Sequence, residues 1–299
     1  MLISKIKQQY PNKLINTFNV VPSSLSNGNA LDCYNTVLTL KSFAEEANGC
    51  FFFDNESLRS TCKNVMNIQN VKLNDTNDLI GRYMVNYGAC ERSSKPTSKN
   101  ADLKSISNVL NSQNPKLHFY VPNLSFNTTG GSNEAIQSFS KNESNSLLSV
   151  KTNEGRNIGF ASILRSNESN EFDIGKLNAQ IKWIPNNSTV LGVSDKLENN
   201  SIVSLWSATN TTNMKLFFER ILNQTEFLYS KRAYMSHYMT DQMEPSEFSE
   251  VIECLNRLMN EYGNESLKTT PIGSVNTSST VSTTQQTLKP NNQSIFYLN

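Results

Sequence analysis

Several things are scarce or missing in this sequence, and each absence removes a class of function. Only two histidines occur in 299 residues, His118 in an apolar strand pattern and His237 in a loop. Neither has partner residues at ligand spacing, so no metal site is expected. Charge of one sign is missing too: 27 Lys and Arg stand against 26 Asp and Glu, a net charge of +1 and a pI of about 7.6. That balance gives no pull towards nucleic acid or an anionic membrane. No apolar run approaches the roughly 18–20 residues of a membrane-spanning helix. Lys5 and Lys7 interrupt any apolar stretch that could serve as a signal peptide. The five cysteines (33, 50, 62, 90 and 254) are odd in number and form no CxxC. They suit reduced thiols of a cytosolic protein rather than a disulfide framework. GxSxG, Walker and GxGxxG motifs are all missing. Gly130-Gly131 is read as a flexible turn, and Glu45-Glu46 as a solvated helix face. The many Asn-x-Ser/Thr sequons follow from a chain rich in Asn, Ser and Thr, not from secretion.

What is present is alternation. Ile3 and Ile6 with Lys5 and Lys7 read as the last turns of a helix that Tyr10-Pro11-Asn12 stops, and no N-cap residue precedes them. Leu14, Ile15, Phe18, Val20 and Val21 read as a buried strand ended by Pro22. A helix is predicted over 34–47, closed by Asn48-Gly49, then a wholly apolar strand over 50–55. A short helix over 56–66 and a longer one over 75–90 follow, the latter with Leu79, Ile80, Tyr83, Met84 and Tyr87 on one stripe. Strand–helix–strand–helix order argues a parallel, doubly wound sheet.

The middle is less regular, with strands predicted at 116–122, 157–166, 178–185 and 201–209. Two helices with strong periodicity follow, 214–228 and 247–263, the second with Gly263 as its C-cap. Residues 264–299 are polar and almost uncharged, so a disordered tail is predicted there.

Several of these stretches, in order, resemble tubulin, the β-type more than the α-type. They are "LISKIKQQYPNKLINTFNVVPS", "YNTVLTL", "FDNESL", "NADLK", "LHFYVP", "WIPNN" and "RAYMSHYM…MEPSEF…LNRLMNEY". The resemblance covers most of residues 1–263. It implies an α/β fold: the C-terminal half of a doubly wound nucleotide-binding sheet, then an α+β intermediate domain and a C-terminal helical pair. The units implied are 1–90, the second half of the GTPase domain, 91–209, the intermediate domain, 210–263, the helical hairpin, and 264–299, a non-acidic tail. In the family, the segment matching Met1–Ser4 follows a glycine-rich GGTGSG loop that cradles the GTP phosphates on backbone N–H groups. That loop is not in this sequence.

Site residues carry over one by one. Asp32 stands where the family has an acidic ribose contact, and Asn55 and Asn77 match its two guanine-binding asparagines. Leu73 replaces the aromatic that stacks on the base, keeping an apolar face without π-stacking. Helix capping alone would also account for asparagines at Asn55 and Asn77, and Asn55 could serve both roles. Asn100 and Asp102 match an Asn-x-Asp turn that reaches the neighbouring subunit's nucleotide. Ser105 stands where α-type members carry the glutamate that positions the hydrolytic water. The resemblance therefore names GTP as the cofactor of full-length members and weak or no GTP binding for this chain. No catalytic residue of its own is expected. The segment 123–149 is shorter than the family's and lacks its recognisable lateral loop and much of the following helix, and Glu265 is the tail's only carboxylate. Implied partners are tubulin subunits of the α-like type and tubulin chaperones, in the cytoplasm and on microtubules. Three readings stay open: a divergent β-like tubulin, a non-polymerising interaction protein, and an active GTPase whose other half lies upstream. A sheet halved in this way is also expected to leave the apolar face of helix 75–90 bare.

Overall fold

The computed structural model describes residues 2–23, 30–92, 102–111, 113–127, 145–166, 189–194, 203–239 and 244–267. Six strands form one mixed sheet in the order β1-β2-β3-β6-β4-β5. They are β1 (Asn16–Val21), β2 (Gly49–Asp54), β3 (Phe119–Asn127), β4 (Asn157–Ser166), β5 (Thr189–Ser194) and β6 (Val203–Thr211). β1 runs parallel to β2, and β2 parallel to β3 through two registered pairs, Cys50 with Phe119 and Phe51 with Tyr120. β6 lies antiparallel between β3 and β4, and β4 pairs in parallel with β5. The sheet therefore continues across the 90/91 boundary read from the sequence.

Helices cover both faces. Alternation along β2 divides the core: Cys50 and Phe52 point to one layer, Phe51 and Phe53 to the other. The first layer holds α1 (Leu2–Gln9), α2 (Ala30–Glu46), α7 (Met214–Ser230) and α8 (Pro245–Leu267), meeting through Val37, Leu40, Phe218, Ile221, Leu255 and Leu258. The second holds α3 (Asn55–Asn64), α4 (Leu73–Tyr87), the short α5 (Ala89–Arg92) and α6 (Leu103–Leu110). Because β2 is buried on both faces, its apolar residues run without a break (Cys-Phe-Phe-Phe).

The expected bare face of helix 75–90 is covered in part, with Ile80 and Met84 left half-buried. Leu79, Tyr83 and Tyr87 are buried against Phe51, Phe53 and Trp206, with Tyr83 and Tyr87 at 5.3 and 5.4 Å from the Trp206 ring. The partner that sequence reasoning lacked is β6, inserted next to β3. The helix also starts two residues sooner, at Leu73, where the Asp75 carboxylate accepts from the Lys72 N–H (2.7 Å). It ends at Tyr87, before Gly88.

Three further boundaries move. Strand 116–122 lies instead at Phe119–Asn127 and passes through Pro122. That position is free of β2, whose pairing ends at Tyr120, so the missing N–H breaks no bond on that side. Gly263 does not cap a helix: α8 continues through it to Leu267. Glu265 consequently belongs to α8 and not to the tail. It is 2% exposed, and its carboxylate accepts from Arg156 Nη1 at 2.9 Å. β5 falls in a stretch that the sequence pattern assigns to loop. The predicted strand 178–185, Gly130-Gly131, most of the lateral segment and residues 268–299 lie outside the described residues.

Two glycines are required for close packing, not for a left-handed backbone. A Cβ on Gly49 would stand 2.6 Å from Asn16 Oδ1, and one on Gly159 2.6 Å from the Leu110 carbonyl. The second contact seats the end of α6 on β4. No helix among the described residues is long and apolar enough to cross a membrane.

Candidate functional site

Among the described residues β1 is the outermost strand at its end of the sheet, paired only with β2. An open cleft of about 1180 Å³ runs along its other edge, between α2 and α4. Its lining includes Leu2, Val20, Leu38, Asn77, Ile80 and Met84. Val20 is 53% exposed there, although it sits in a strand.

Of the four guanosine-side positions, Asn77 alone lines this cleft, from the second turn of α4, with its side chain exposed. Asn35 and Thr36 line it from α2, one turn along from Asp32. Asp32 is half-buried in the first turn of α2, and its backbone carbonyl accepts from Thr36 Oγ1 (2.6 Å). Asn55 is the exposed first residue of α3, and Leu73, the first residue of α4, is 71% exposed. Asn55 does not cap its helix. The cap is Asp54, a buried carboxylate that accepts from Ser57 N (2.8 Å), Ser57 Oγ (2.9 Å) and Ser149 N (2.6 Å). Asn55 thus keeps its amide free of that task. The Asp54-x-x-Ser57 spacing is the sequence signal that would have found the cap.

Close by, Arg220 of α7 donates from Nη2 to the Pro22 carbonyl (3.1 Å), and its guanidinium lies over the Phe217 ring. Burial lowers its pKa. Sequence reasoning missed this residue, because one Arg in an amphipathic helix carries no local mark. Cys33 lies next to Asp32 and has its thiol pKa raised, by burial first and then by that carboxylate. All five cysteines are free, and burial pushes the Cys50 and Cys90 thiols up to about 12.

The inter-subunit positions divide. Asn100 lies outside the described residues. Asp102 caps α6, its Oδ1 accepting from Ser105 N (2.7 Å). Glu91 Oε1 accepts from the next free donor, Leu103 N (3.2 Å). Ser105 is therefore part of a capped helix start and brings no carboxylate to it. His118, whose partners the sequence left open, is buried with Nε2 3.0 Å from the Phe43 carbonyl and Nδ1 3.2 Å from the Pro115 carbonyl. Among the described residues no group of three His, Cys, Asp or Glu is placed to hold a metal ion.

A parallel strand pair with helices on both faces, and a cleft beside its edge strand, places the molecule in the three-layer α/β class. The family described as Tubulin/FtsZ family, GTPase domain, matches residues 1–63, which span α1, β1, α2, β2 and most of α3. Over that segment the chain is similar to the tubulin/FtsZ GTPase domain.

Proposed function

We propose that this chain is a tubulin-type structural subunit of the microtubule cytoskeleton, pairing with α-like tubulin subunits in the cytoplasm. The observation that carries the reading is the family match over residues 1–63, which coincides with the β1-α2-β2-α3 order of an α/β nucleotide domain. Exposed amides at Asn55 and Asn77 agree with a guanine-facing role. On its own the chain holds GTP weakly or not at all: Leu73 offers no π-face to a base, and the described residues provide no glycine-rich phosphate loop. Ser105 in place of a carboxylate leaves it unable to activate water at a neighbour's nucleotide.

The test is sedimentation with GTP, of the chain alone and mixed with α/β-tubulin. Co-sedimentation in the mixture, with none alone, is expected. Failure to enter polymer or to bind free subunits in the mixture would refute the reading. Equilibrium dialysis settles the nucleotide: one tightly held GTP per chain contradicts weak binding.

A second reading is a non-polymerising protein that binds tubulin subunits or their chaperones. It is favoured by Leu73, which is left exposed where the resemblance puts a stacking aromatic. Binding to free subunits with no entry into polymer separates it from the first.

A further inference from the structure

Asn48-Gly49 makes the turn from α2 into β2. Asparagine is a chemically labile side chain, most of all when glycine follows it. With no Cβ in the way, the glycine's own backbone nitrogen reaches the asparagine Cγ. That nitrogen gives up its proton and bonds to Cγ, Nδ2 leaves as ammonia, and water opens the cyclic imide that results. Opening at one carbonyl gives aspartate. Opening at the other gives isoaspartate, in which the main chain runs through the old side chain and is longer by a methylene. Solvent water is the sole co-reactant, and nothing is oxidised or reduced.

The fold holds each participant out of this reaction. Gly49 N donates to the Ile15 carbonyl (3.4 Å), and so does Asn48 N (2.8 Å). Asn48 Oδ1 in turn accepts from Ile15 N (2.9 Å). The side chain that must be attacked and the nitrogen that must attack are therefore both tied to the backbone of Ile15. The peptide between them is pinned as well, because the Asn48 carbonyl accepts from Asn111 Nδ2 (3.1 Å) and from Tyr120 OH (3.5 Å). Gly49 is buried and registered opposite Asn16 in the β1–β2 ladder. Turning its nitrogen towards Cγ breaks the contacts with Ile15, Asn111 and Tyr120 together.

The same crowding decides what each product does. A Cβ on Gly49 would stand 2.6 Å from Asn16 Oδ1 and 2.9 Å from the Tyr120 ring, so the backbone has no slack here. Aspartate at 48 keeps an oxygen for the Ile15 N–H. Isoaspartate lengthens the main chain just before the strand and throws Gly49 and Cys50 out of register with Asn16 and Thr17.

We propose that Asn48-Gly49 is a deamidation site that the fold keeps shut. It converts only in chains whose β1–β2 pair has opened, and isoaspartate there stops β2 from pairing again. The turn thus records time spent unfolded, whether or not the chain enters polymer.

Peptide mass spectrometry of the full chain, incubated at mildly alkaline pH both folded and in guanidinium chloride, tests it. The other Asn-Gly of the sequence, Asn27-Gly28, is the chemical reference in the denatured chain. In denaturant Asn48 is expected to convert about as fast as Asn27. In the folded chain its conversion falls at least about tenfold, because only the open fraction reacts. When denaturant is removed, refolded monomer is depleted of isoaspartate at 48 relative to the misfolded fraction. Conversion of Asn48 as fast in the folded chain as in denaturant overturns the proposal. So does an Asn48 that stays intact in denaturant while Asn27 converts, and so does isoaspartate shared equally between the refolded and misfolded fractions.

Discussion

β1 and β6 are both strands of one sheet, yet their surroundings are opposite. Every residue of β6 is buried, between β3 and β4, with Trp206 set into a wall of Phe51, Tyr83 and Tyr87. β1 has one neighbour, and only Thr17 and Val21 among its residues are fully buried. The difference lies in what each strand is next to and not in composition, since both carry apolar and polar residues in turn. Burial is most complete where the sheet changes from parallel to antiparallel, and the family-matched segment includes the edge strand β1, which has one neighbour among the described residues.

The contrast is broken most directly at its strong end. Trp206→Ala should cost about 3–5 kcal/mol, the usual penalty for emptying a large aromatic site in a packed core, read as a fall in the denaturant midpoint. Glu265→Ala comes next. It leaves Arg156 half-sequestered, with its Nη1 contacts at 2.9 Å cut to the backbone carbonyl alone, and a cost of about 3 kcal/mol is expected. Changing both partners to apolar residues of similar size should recover most of that loss in the same assay.

His118 gives a pH-dependent test of the layer below α2. Burial lowers its pKa from the ordinary 6.5, so the unfolded chain takes up a proton before the folded one does. Its contribution is complete above about 6.5 and falls as pH drops through that value towards the folded pKa. Denaturation followed from pH 7 to 5 should show falling stability, with a flatter slope in His118→Gln. The smallest effect is expected beside the open edge. Gly81 faces the cleft from inside α4, and a Cβ there meets nothing within 4 Å. Gly81→Ala should therefore add about 0.5–1 kcal/mol of stability through helix propensity alone, read as a rise in the thermal midpoint.

Local pattern made much of this legible. α1, β1, α2, β2, α3, α7 and α8 follow from apolar periodicity and from Asn-Gly or Pro punctuation, and their ends move by only a few residues. What was not legible depends on partners far away in sequence. β5 could not be told from loop because its neighbour β4 lies outside its own stretch. Gly263 looked like a terminator because nothing near it shows that Glu265, two residues on, is claimed by Arg156. Among site positions, Asn77 lines the cleft and Asp102 caps α6. Asn55 and Leu73 are exposed, and the capping work that Asn55 might have had belongs to Asp54. The Asp54-x-x-Ser57 spacing marks that cap, whereas nothing local marks an asparagine that stays exposed.

One packing arrangement has a temporal side. α2 is sandwiched by elements from the far end of the chain: Tyr34 OH donates to the Ala233 carbonyl (3.0 Å), its ring meets Tyr238 and Phe248, and Lys41 reaches Glu250 at 2.6 Å. During synthesis α2 emerges long before α7 and α8. At about 5–20 residues per second, its apolar face waits on the order of ten seconds or more for a cover. The nascent chain spends that interval with Val37, Leu40 and Phe43 lacking the cover that α7 and α8 later give them.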